Sequence, residues 1–272
     1  MAKRLNSEVV AQYRRDGFHF PVGVLSPAEA RSYRNRLEAQ ERALGGPLTG
    51  HMRHKVHLLF TWANELARHP AILDAVEDVI GPDILCWSTT FFTKEAHSPS
   101  FVSWHQDATY WGLSTDDVIT AWVAFNQTTV ENGALQVLPR SHLGPDLVHE
   151  ETYAPDNMLA RGQSLHIDDE SNAVTIELQA GEFSLHHERT AHGSKQNRSA
   201  NPRIGFAFFY IPTHVRSTTG RRSATLVRGV DRYGHWDADP LPRFDLDPVA
   251  YGAMRAAWGQ YRDGEVKQAV DA

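Results

Sequence analysis

Residues 203–210 read RIGFAFFY, and this stretch decides the fold because its side chains divide between two faces of a strand. Side chains alternate across a β-strand. One face is formed by Ile204, Phe206, Phe208 and Tyr210. The other face carries Arg203, Gly205 and Ala207, so a guanidinium stands beside two very small side chains. The stretch predicts a core strand of a β-rich fold, with room for a carboxylate to bind Arg203 bidentately.

A second segment, Ser103-Trp104-His105-Gln106-Asp107, resembles part of a metal site. In an extended strand, His105 and Asp107 point to the same side and Gln106 points away. An imidazole beside a carboxylate suits a divalent first-row metal with open coordination positions, as in the 2-His-1-carboxylate arrangement. The segment therefore predicts two ligands, and a third must come from elsewhere in the chain.

Six downstream histidines qualify as the third ligand by residue type, and spacing alone does not choose among them. They are His142, His149, His166, His186, His187 and His192. His192 is favoured by its surroundings, because His192-Gly193-Ser194 is followed by a polar turn and then by the strand that begins at Arg203. A metal with open positions near a carboxylate-binding arginine suggests 2-oxoglutarate, which is both a chelating 2-oxo acid and a second carboxylate.

The composition is that of an ordinary globular protein. The chain has 272 residues, of which 41% are hydrophobic and 22% charged, and its net charge is −6 without a long basic run. Nucleic acid and anionic membranes are therefore unexpected partners, and a small-molecule substrate is the expected one. No signal peptide or membrane span is expected from the N-terminal residues. The single cysteine, Cys86, precludes an intrachain disulfide and favours a cytoplasmic location.

Helical patterns come first along the chain and strand patterns follow. Helices are predicted at about 7–16, 26–44, 62–68, 70–80 and 248–262, and strands at about 84–93, 101–105, 118–128, 134–138, 173–178, 182–187 and 204–211. Residues 139–169 are predicted to be mostly loop. The pattern has no β–α alternation, so it predicts an α+β, mainly β protein, with an antiparallel sandwich or barrel and helices packed on one side.

One domain is expected over residues 1–272, because no linker divides the chain. Its expected parts are a helical region at about 1–82, a core at about 83–212 and a C-terminal extension at 213–272. Three loops, at about 94–103, 139–170 and 213–240, are expected to line the substrate pocket.

Several motifs together carry a family resemblance. They are His105-Gln106-Asp107, His192-Gly193-Ser194, and Arg203 eleven residues after His192. With Asp16-Gly17-Phe18 near the start and the segments ENGAL at 131–135 and LPRSH at 138–142, they resemble the phytanoyl-CoA dioxygenase family of Fe(II)/2-oxoglutarate oxygenases. The resemblance covers about residues 13–211. Arg140 departs from the family's usual glycine without affecting an expected ligand.

The resemblance implies roles for five residues. His105, Asp107 and His192 would be the iron ligands and so the catalytic centre. Arg203 would pair with 2-oxoglutarate, and Ser194 would assist it at the same carboxylate. Halogenating relatives carry a small residue in place of this carboxylate, so the intact Asp107 argues against halogenation.

The resemblance also implies a fold and a reaction. The fold is a double-stranded β-helix, the cupin-like jelly roll, with packed N-terminal helices and a C-terminal helix. The reaction is oxidation of an unactivated C–H bond, most simply hydroxylation. It uses Fe(II) as cofactor, consumes 2-oxoglutarate and O2 as cosubstrates, and gives succinate and CO2 as co-products. Trp122 and His57 are implied as further cosubstrate contacts, although a strand tryptophan also commonly serves as core packing.

Two further groups concern the primary substrate. Trp104, Tyr110 and Trp111 flank the metal motif and are candidates for the walls of an apolar pocket, with packing at the barrel mouth as the alternative. Arg221 and Arg228 belong to a basic C-terminal segment and would bind an anionic substrate if they faced the cavity, with a solvated face as the alternative.

Two other functions stay open at this point. A 2-oxoglutarate-independent non-haem iron enzyme of the cupin type would need no carboxylate-binding arginine, so Arg203 argues against it. A non-catalytic β-barrel ligand-binding protein with a vestigial metal site would be expected to have lost a ligand, whereas all three ligand types are present.

Overall fold

Four helices precede the second strand, and one long helix closes the chain. The computed structural model describes residues 2–144, 147–159 and 162–270, with side chains to residue 261. The helices are α1 (Ser7–Asp16), α2 (Pro27–Leu44), α3 (Thr61–Ala67), α4 (Pro70–Ile80), α5 (Ala108–Trp111) and α6 (Pro248–Val270). The strands are β1 (Phe18–Gly23), β2 (Ile84–Lys94), β3 (Val102–His105), β4 (Ile119–Ala124), β5 (Leu135–Val137), β6 (His149–Glu151), β7 (Gln163–Leu165), β8 (Val174–Ile176), β9 (Glu182–His187), β10 (His192–Ser194), β11 (Arg203–Pro212), β12 (Ser223–Arg228) and β13 (Asp237–Ala238).

Local sequence signals set the ends of the first helices. The Asn6 side chain accepts a hydrogen bond from the Val9 amide at the start of α1, and Gly17 ends that helix with a left-handed φ of 87°. Ser26 and Glu29 form a reciprocal capping box at the start of α2. These boundaries agree with the helices predicted from the sequence.

Two main sheets contain most of the strands. The major sheet has seven strands in the order β1-β9-β4-β11-β2-β12-β13, and the minor sheet has four in the order β3-β10-β5-β8. Neighbouring strands are antiparallel except for β12 and β13, and β6 pairs separately with β7. The predicted antiparallel architecture is confirmed.

Strand β11 separates two hydrophobic layers. Phe206, Phe208 and Tyr210 lie in a core that also contains helical residues such as Leu37 and Leu66. The intervening side chains face the other way, into a second core that includes Leu135, Val137 and Ile176 of the minor sheet. The major sheet therefore lies between the helices and the minor sheet, as the alternating pattern of β11 predicts.

Several short strands differ from the prediction. Residues 139–169 contain β6 and β7, and β10 and β12 lie in segments for which no strand was expected. The sequence of β10 is only His-Gly-Ser, which lacks the branched and aromatic side chains typical of strands. This strand exists because β3 and β5 flank it on both sides. Among the described residues, no helix is long and apolar enough to cross a membrane.

The space above Gly205 is filled by Trp122, which gives a test of the packing between the sheets. A Cβ at Gly205 would overlap the Trp122 indole, whereas the Cβ site of Gly252, in α6, has no described atom within 4 Å. We expect Gly205→Ala to destabilise the protein by about 1–3 kcal/mol through overpacking. The matched Gly252→Ala should stabilise it by about 0.5–1 kcal/mol, because alanine favours a helix. Chemical unfolding measures both, and equal effects would contradict this packing.

Candidate active site

Three side chains from two distant parts of the chain form a compact cluster of metal-ligand type. His105 Nε2 lies 3.4 Å from Asp107 Oδ1, and His192 Nε2 lies 3.8 Å from Asp107 Oδ2. One ligand atom from each residue lies within 4.8 Å of the others. Among the residues that the structure describes, this is the cluster that could hold a metal ion. His105, Asp107 and His192 are thus brought together.

The pairing of β10 with β3 places His192 beside the motif. His192 and His105 are Cα partners in this antiparallel pair. A Cβ at Gly193 would lie 3.0 Å from the Val102 carbonyl oxygen and 3.2 Å from the Trp104 nitrogen. Glycine at this position therefore lets the two strands approach closely, which is a physical reason for the His-Gly-Ser sequence.

Both histidine rings are oriented by backbone carbonyls. His105 Nδ1 lies 2.9 Å from the Ser103 carbonyl oxygen, and His192 Nδ1 lies 2.9 Å from that of Thr190. A carbonyl accepts a hydrogen bond, so Nδ1 carries the proton and Nε2 presents its lone pair to the site. Burial lowers the pKa of His192 to about 3, so its ring is neutral at neutral pH, as a metal ligand must be.

The carboxylate completes a suitable donor set. Burial alone would raise the pKa of Asp107, but the interactions with His192 and His105 lower it below its ordinary value. The Asp107 amide donates to the Glu188 carbonyl at 2.9 Å, which fixes the turn after the strand. Two imidazoles and one ionised carboxylate fit a divalent metal such as Fe(II) with open positions.

The other candidate histidines lie in different surroundings. His186 is the nearest, with its ring centroid 4.8 Å from that of His192. His142 Nε2 contacts the Arg14 carbonyl at 3.0 Å, and His187 Nδ1 accepts a hydrogen bond from the Arg189 amide. The His166 side chain is 86% exposed. Among the described residues, His192 is the histidine that tertiary structure brings into one cluster with His105 and Asp107.

A cavity of about 460 Å³ adjoins the three ligands and contains Arg203, Ser194 and Trp122 in its lining. Arg203 is only 2% exposed, and its guanidinium lies 5.4 Å from the centroid of the Trp122 ring. Arg203 NH2 lies 3.4 Å from Ser194 Oγ. No carboxylate pairs with Arg203 within the described part of the chain, and burial lowers its pKa to about 9.

Lys94 is a buried residue of this region that the sequence interpretation missed. It pairs with Arg203 across β2 and β11, and its Nζ donates to Ser194 Oγ at 2.7 Å. Ser194 Oγ therefore acts as an acceptor toward Lys94, which leaves its own proton available for an anion. Burial and the nearby Arg203 lower the pKa of Lys94 to about 6. A lysine at the end of strand β2, which has no other charged side chain, was the available signal.

A larger open cavity of about 1050 Å³ also has Asp107 in its lining. Tyr110 and Trp111 are in its wall, as the sequence suggested for substrate contacts. The two cavities share four lining residues, namely Phe92, Asp107, Leu159 and Phe209. A molecule in the larger cavity would therefore have access to the metal centre.

Only part of the expected pocket lining is present. Residues of the 139–170 and 213–240 loops line the larger cavity, but the 94–103 segment contributes none of its described residues. Helix α6 was not expected there, yet it contributes Met254, Trp258 and Tyr261. Sequence periodicity assigned α6 correctly as a helix but gave no information on where it packs.

Four residues expected at the site lie outside both cavities in the described structure. His57 is fully buried, with Nδ1 3.1 Å from Thr89 Oγ1 and Nε2 3.2 Å from Thr225 Oγ1. The Trp104 indole donates to Glu170 Oε1 at 2.8 Å. Arg221 pairs with Asp237 at 2.6 Å, and Arg228 pairs with Asp74 at 2.7 Å. These partners come from other elements, so the sequence did not reveal them, and the four expectations are corrected.

Comparison with known proteins places the chain in a family. Residues 13–205 match the model of the family described as phytanoyl-CoA dioxygenase, PhyH. The chain belongs to the phytanoyl-CoA dioxygenase family. Among solved structures, this family member resembles the non-heme monooxygenase ThoJ, with 36% identity, a TM-score of 0.86, and coverage of 97% of this chain and 100% of ThoJ. CytC3 with Fe(II) and alpha-ketoglutarate is 27% identical, with a TM-score of 0.66 and coverage of 90% and 97%.

Curated relatives of this phytanoyl-CoA dioxygenase family member act on different molecules. A probable alpha-ketoglutarate-dependent hypophosphite dioxygenase of Stutzerimonas stutzeri is 30% identical over 158 residues, which are 56% of this chain and 54% of that protein. The L-proline trans-4-hydroxylase of Streptomyces griseoviridis is 24% identical over 225 residues, 78% and 80% of the two chains. The chain thus spans about half of the first relative and four fifths of the second. The predicted family, fold and dependence on Fe(II) and 2-oxoglutarate are confirmed at the level of the family.

The three-residue cluster predicts how metal binding responds to substitution. Loss of a residue that only orients a metal ligand typically weakens metal binding by about 10–100-fold. Asp107→Ala and His192→Ala should each weaken Fe(II) binding by more than this, because each removes a proposed ligand. His166→Ala removes an exposed histidine and is the matched control, with unchanged affinity expected. Anaerobic calorimetric titration with Fe(II) measures all three. Wild-type affinity in either ligand variant would contradict the proposed ligand set.

Proposed function

We propose that this chain uses Fe(II), 2-oxoglutarate and O2 to hydroxylate an unactivated C–H bond of a small organic molecule, with succinate and CO2 as co-products. The observation that carries the proposal is the composition of the smaller cavity. Three metal-ligand side chains and the buried guanidinium of Arg203 line the same space. A dicarboxylic 2-oxo acid is the kind of molecule that meets both requirements at once.

The polar atoms of the smaller cavity support this assignment. Thr120 Oγ1, His186 Nδ1 and Arg203 Nε are buried, and none has a hydrogen-bond partner among the described atoms. Unsatisfied buried polar atoms are unfavourable, so a group of them in one cavity is typical of a site for a polar ligand. Arg203 also places a basic group there without an acidic partner in the described structure, and Lys94 donates to Ser194 Oγ, which lies in the same lining.

Each residue has a defined role in the proposal. His105, Asp107 and His192 hold Fe(II), and Arg203 with Ser194 binds the far carboxylate of 2-oxoglutarate. Bound together, Fe(II) and 2-oxoglutarate supply the oxidant for C–H cleavage when O2 reacts with them. The rest of the chain orients the substrate and excludes water, and Trp122 limits the cosubstrate cavity where it stacks over the guanidinium.

Arg203 separates this proposal from the other two functions. A 2-oxoglutarate-independent iron enzyme would have no use for a buried guanidinium without an acidic partner, which is costly to maintain. A ligand-binding protein would not need three metal-ligand residues arranged with both Nδ1 atoms engaged. The single domain and the cytoplasmic location remain predictions from the sequence.

Two substitutions test the separate roles of metal and cosubstrate residues. Removing one partner of a buried charge pair costs about 2–5 kcal/mol, and each 1.4 kcal/mol is tenfold, so Arg203→Gln should raise the half-saturating 2-oxoglutarate concentration about 30-fold or more. Asp107→Ala should abolish turnover at every 2-oxoglutarate concentration. Succinate release in the presence of Fe(II) and O2 measures both.

Arg198→Gln is the control for this experiment, because Arg198 is exposed and lies outside the cavity lining. It should behave as the wild type does. Equal and mild effects of Arg203→Gln and Asp107→Ala would contradict the assignment of roles.

A further inference from the structure

Arg53 is half-buried, and it lies in the wall of the larger cavity. Its NH2 group donates to the Met158 carbonyl, and its guanidinium lies 5.8 Å from the centroid of the Phe92 ring. No carboxylate forms an ion pair with Arg53 among the residues that the structure describes. A guanidinium has five N–H donors, so one carbonyl leaves most of its hydrogen-bonding capacity unused. Burial lowers the pKa of Arg53, which indicates that its charge is poorly compensated by the protein.

The backbone around Arg53 is held in place by buried contacts. Arg53 ends a 3₁₀ helix at Gly50–Arg53, and the next residue, His54, forms a β-bridge with Thr90 of β2. Lys55 then adopts a left-handed conformation with φ 44°. A non-glycine residue keeps such a conformation only where its surroundings impose it. The segment is therefore a fixed support for the arginine and not a loop whose position varies freely.

The neighbouring Lys55 does not compete for an anion. Its Nζ lies 2.8 Å from both carboxylate oxygens of Asp239 and donates to the Ser223 carbonyl at 2.9 Å. Burial would raise the pKa of Asp239, but the ammonium of Lys55 lowers it below its ordinary value, so the pair is ionised. Lys55 is thus neutralised within the protein, in contrast to Arg53.

The rest of the larger cavity favours an apolar ring with an anionic substituent. Its wall is rich in aromatic side chains, namely Trp87, Phe92, Tyr110, Trp111, Phe209, Trp258 and Tyr261. Asp107, a metal ligand in the proposed function, is the one acidic residue among the described lining residues. Trp87 Nε1 and Gln163 Oε1 are buried without hydrogen-bond partners in the described structure, so the wall also offers one free donor and one free acceptor.

We propose that Arg53 binds a carboxylate or phosphate group of the primary substrate, whose ring-containing apolar body lies between the aromatic walls and extends toward Asp107. The inference rests on the proposed function, because it names the class of molecule that this site oxidises. The arrangement repeats the one at Arg203, where a buried guanidinium without an acidic partner faces the smaller cavity. One such arginine would select the cosubstrate and the other the substrate, each from a cavity that includes Asp107 in its lining.

Three probes that share one ring and differ in its substituent test the proposal. The anaerobic complex with Fe(II) and saturating 2-oxoglutarate is titrated calorimetrically with 2-naphthoate, 2-naphthamide or 2-naphthyl phosphate. Saturating 2-oxoglutarate keeps the probes away from Arg203. The wild type should bind at least one of the two anions about tenfold or more tightly than the neutral amide, since a charged pair in a buried site is worth more than 1.4 kcal/mol. The two anions distinguish a carboxylate site from a phosphate site.

Three variants assign the preference to Arg53. Arg53→Gln should reduce the ratio of amide to anion dissociation constants to about one. Arg53→Lys keeps the charge without the planar fork and should retain part of the preference. Arg221→Gln is the matched control, because Arg221 pairs with Asp237 outside the cavity, and it should keep the wild-type ratio.

The proposal is overturned if the wild type binds neither anion, or binds both no more tightly than the amide. It is also overturned if the Arg53→Gln variant keeps the wild-type preference for the anion. The visible charge-transfer band of the Fe(II)–2-oxoglutarate complex is recorded on the same samples. If that band forms in the wild type while the anion preference is absent, the inference on Arg53 fails and the proposed function stands. If the band is absent, the proposed function itself fails.

Discussion

The pairing of β10 with β3 is the contact on which the candidate active site depends. It sets His192 opposite His105, and it requires a glycine at 193 because a Cβ there would crowd the backbone of β3. Strand β3 also carries the Ser103 carbonyl that orients the His105 ring, and the Thr190 carbonyl just before β10 orients the His192 ring. A change in the register of this pair by one residue would turn His192 to the other face of the sheet and dismantle the site.

Charge burial distinguishes the functional cavities from the rest of the core. Some buried charges of the described residues are neutralised internally, as Lys55 is by Asp239. Arg203 and Arg53 have no such partner among the described residues, and each lines a cavity that reaches Asp107. Because an uncompensated buried charge is costly, the two arginines mark where anionic ligands are expected. Because Gly205 has no side chain, the Trp122 indole fits above it and lies next to the guanidinium of Arg203.

The sequence predicted the parts of the structure that depend on local pattern. The alternation of side chains along β11 predicted its two core faces. The motif around His105 and the distant His192 predicted the three residues that the fold brings together. Local sequence patterns did not predict contacts between side chains of different helices, strands and loops. Arg228 and Arg221 were expected at the substrate, but acidic side chains from other segments bind them. Nothing local to the sequence distinguished Arg53 from them.

The central claim is that one small cavity holds Fe(II) through three residues and 2-oxoglutarate through the metal and Arg203 together. The most direct measurement is an anaerobic spectroscopic titration of the wild type with Fe(II), followed by 2-oxoglutarate or by glutarate, which lacks the 2-oxo group. The account predicts a visible charge-transfer band that saturates at one 2-oxoglutarate per protein chain and does not form with glutarate. No band at saturating Fe(II) and 2-oxoglutarate, or an equal response to glutarate, would contradict it.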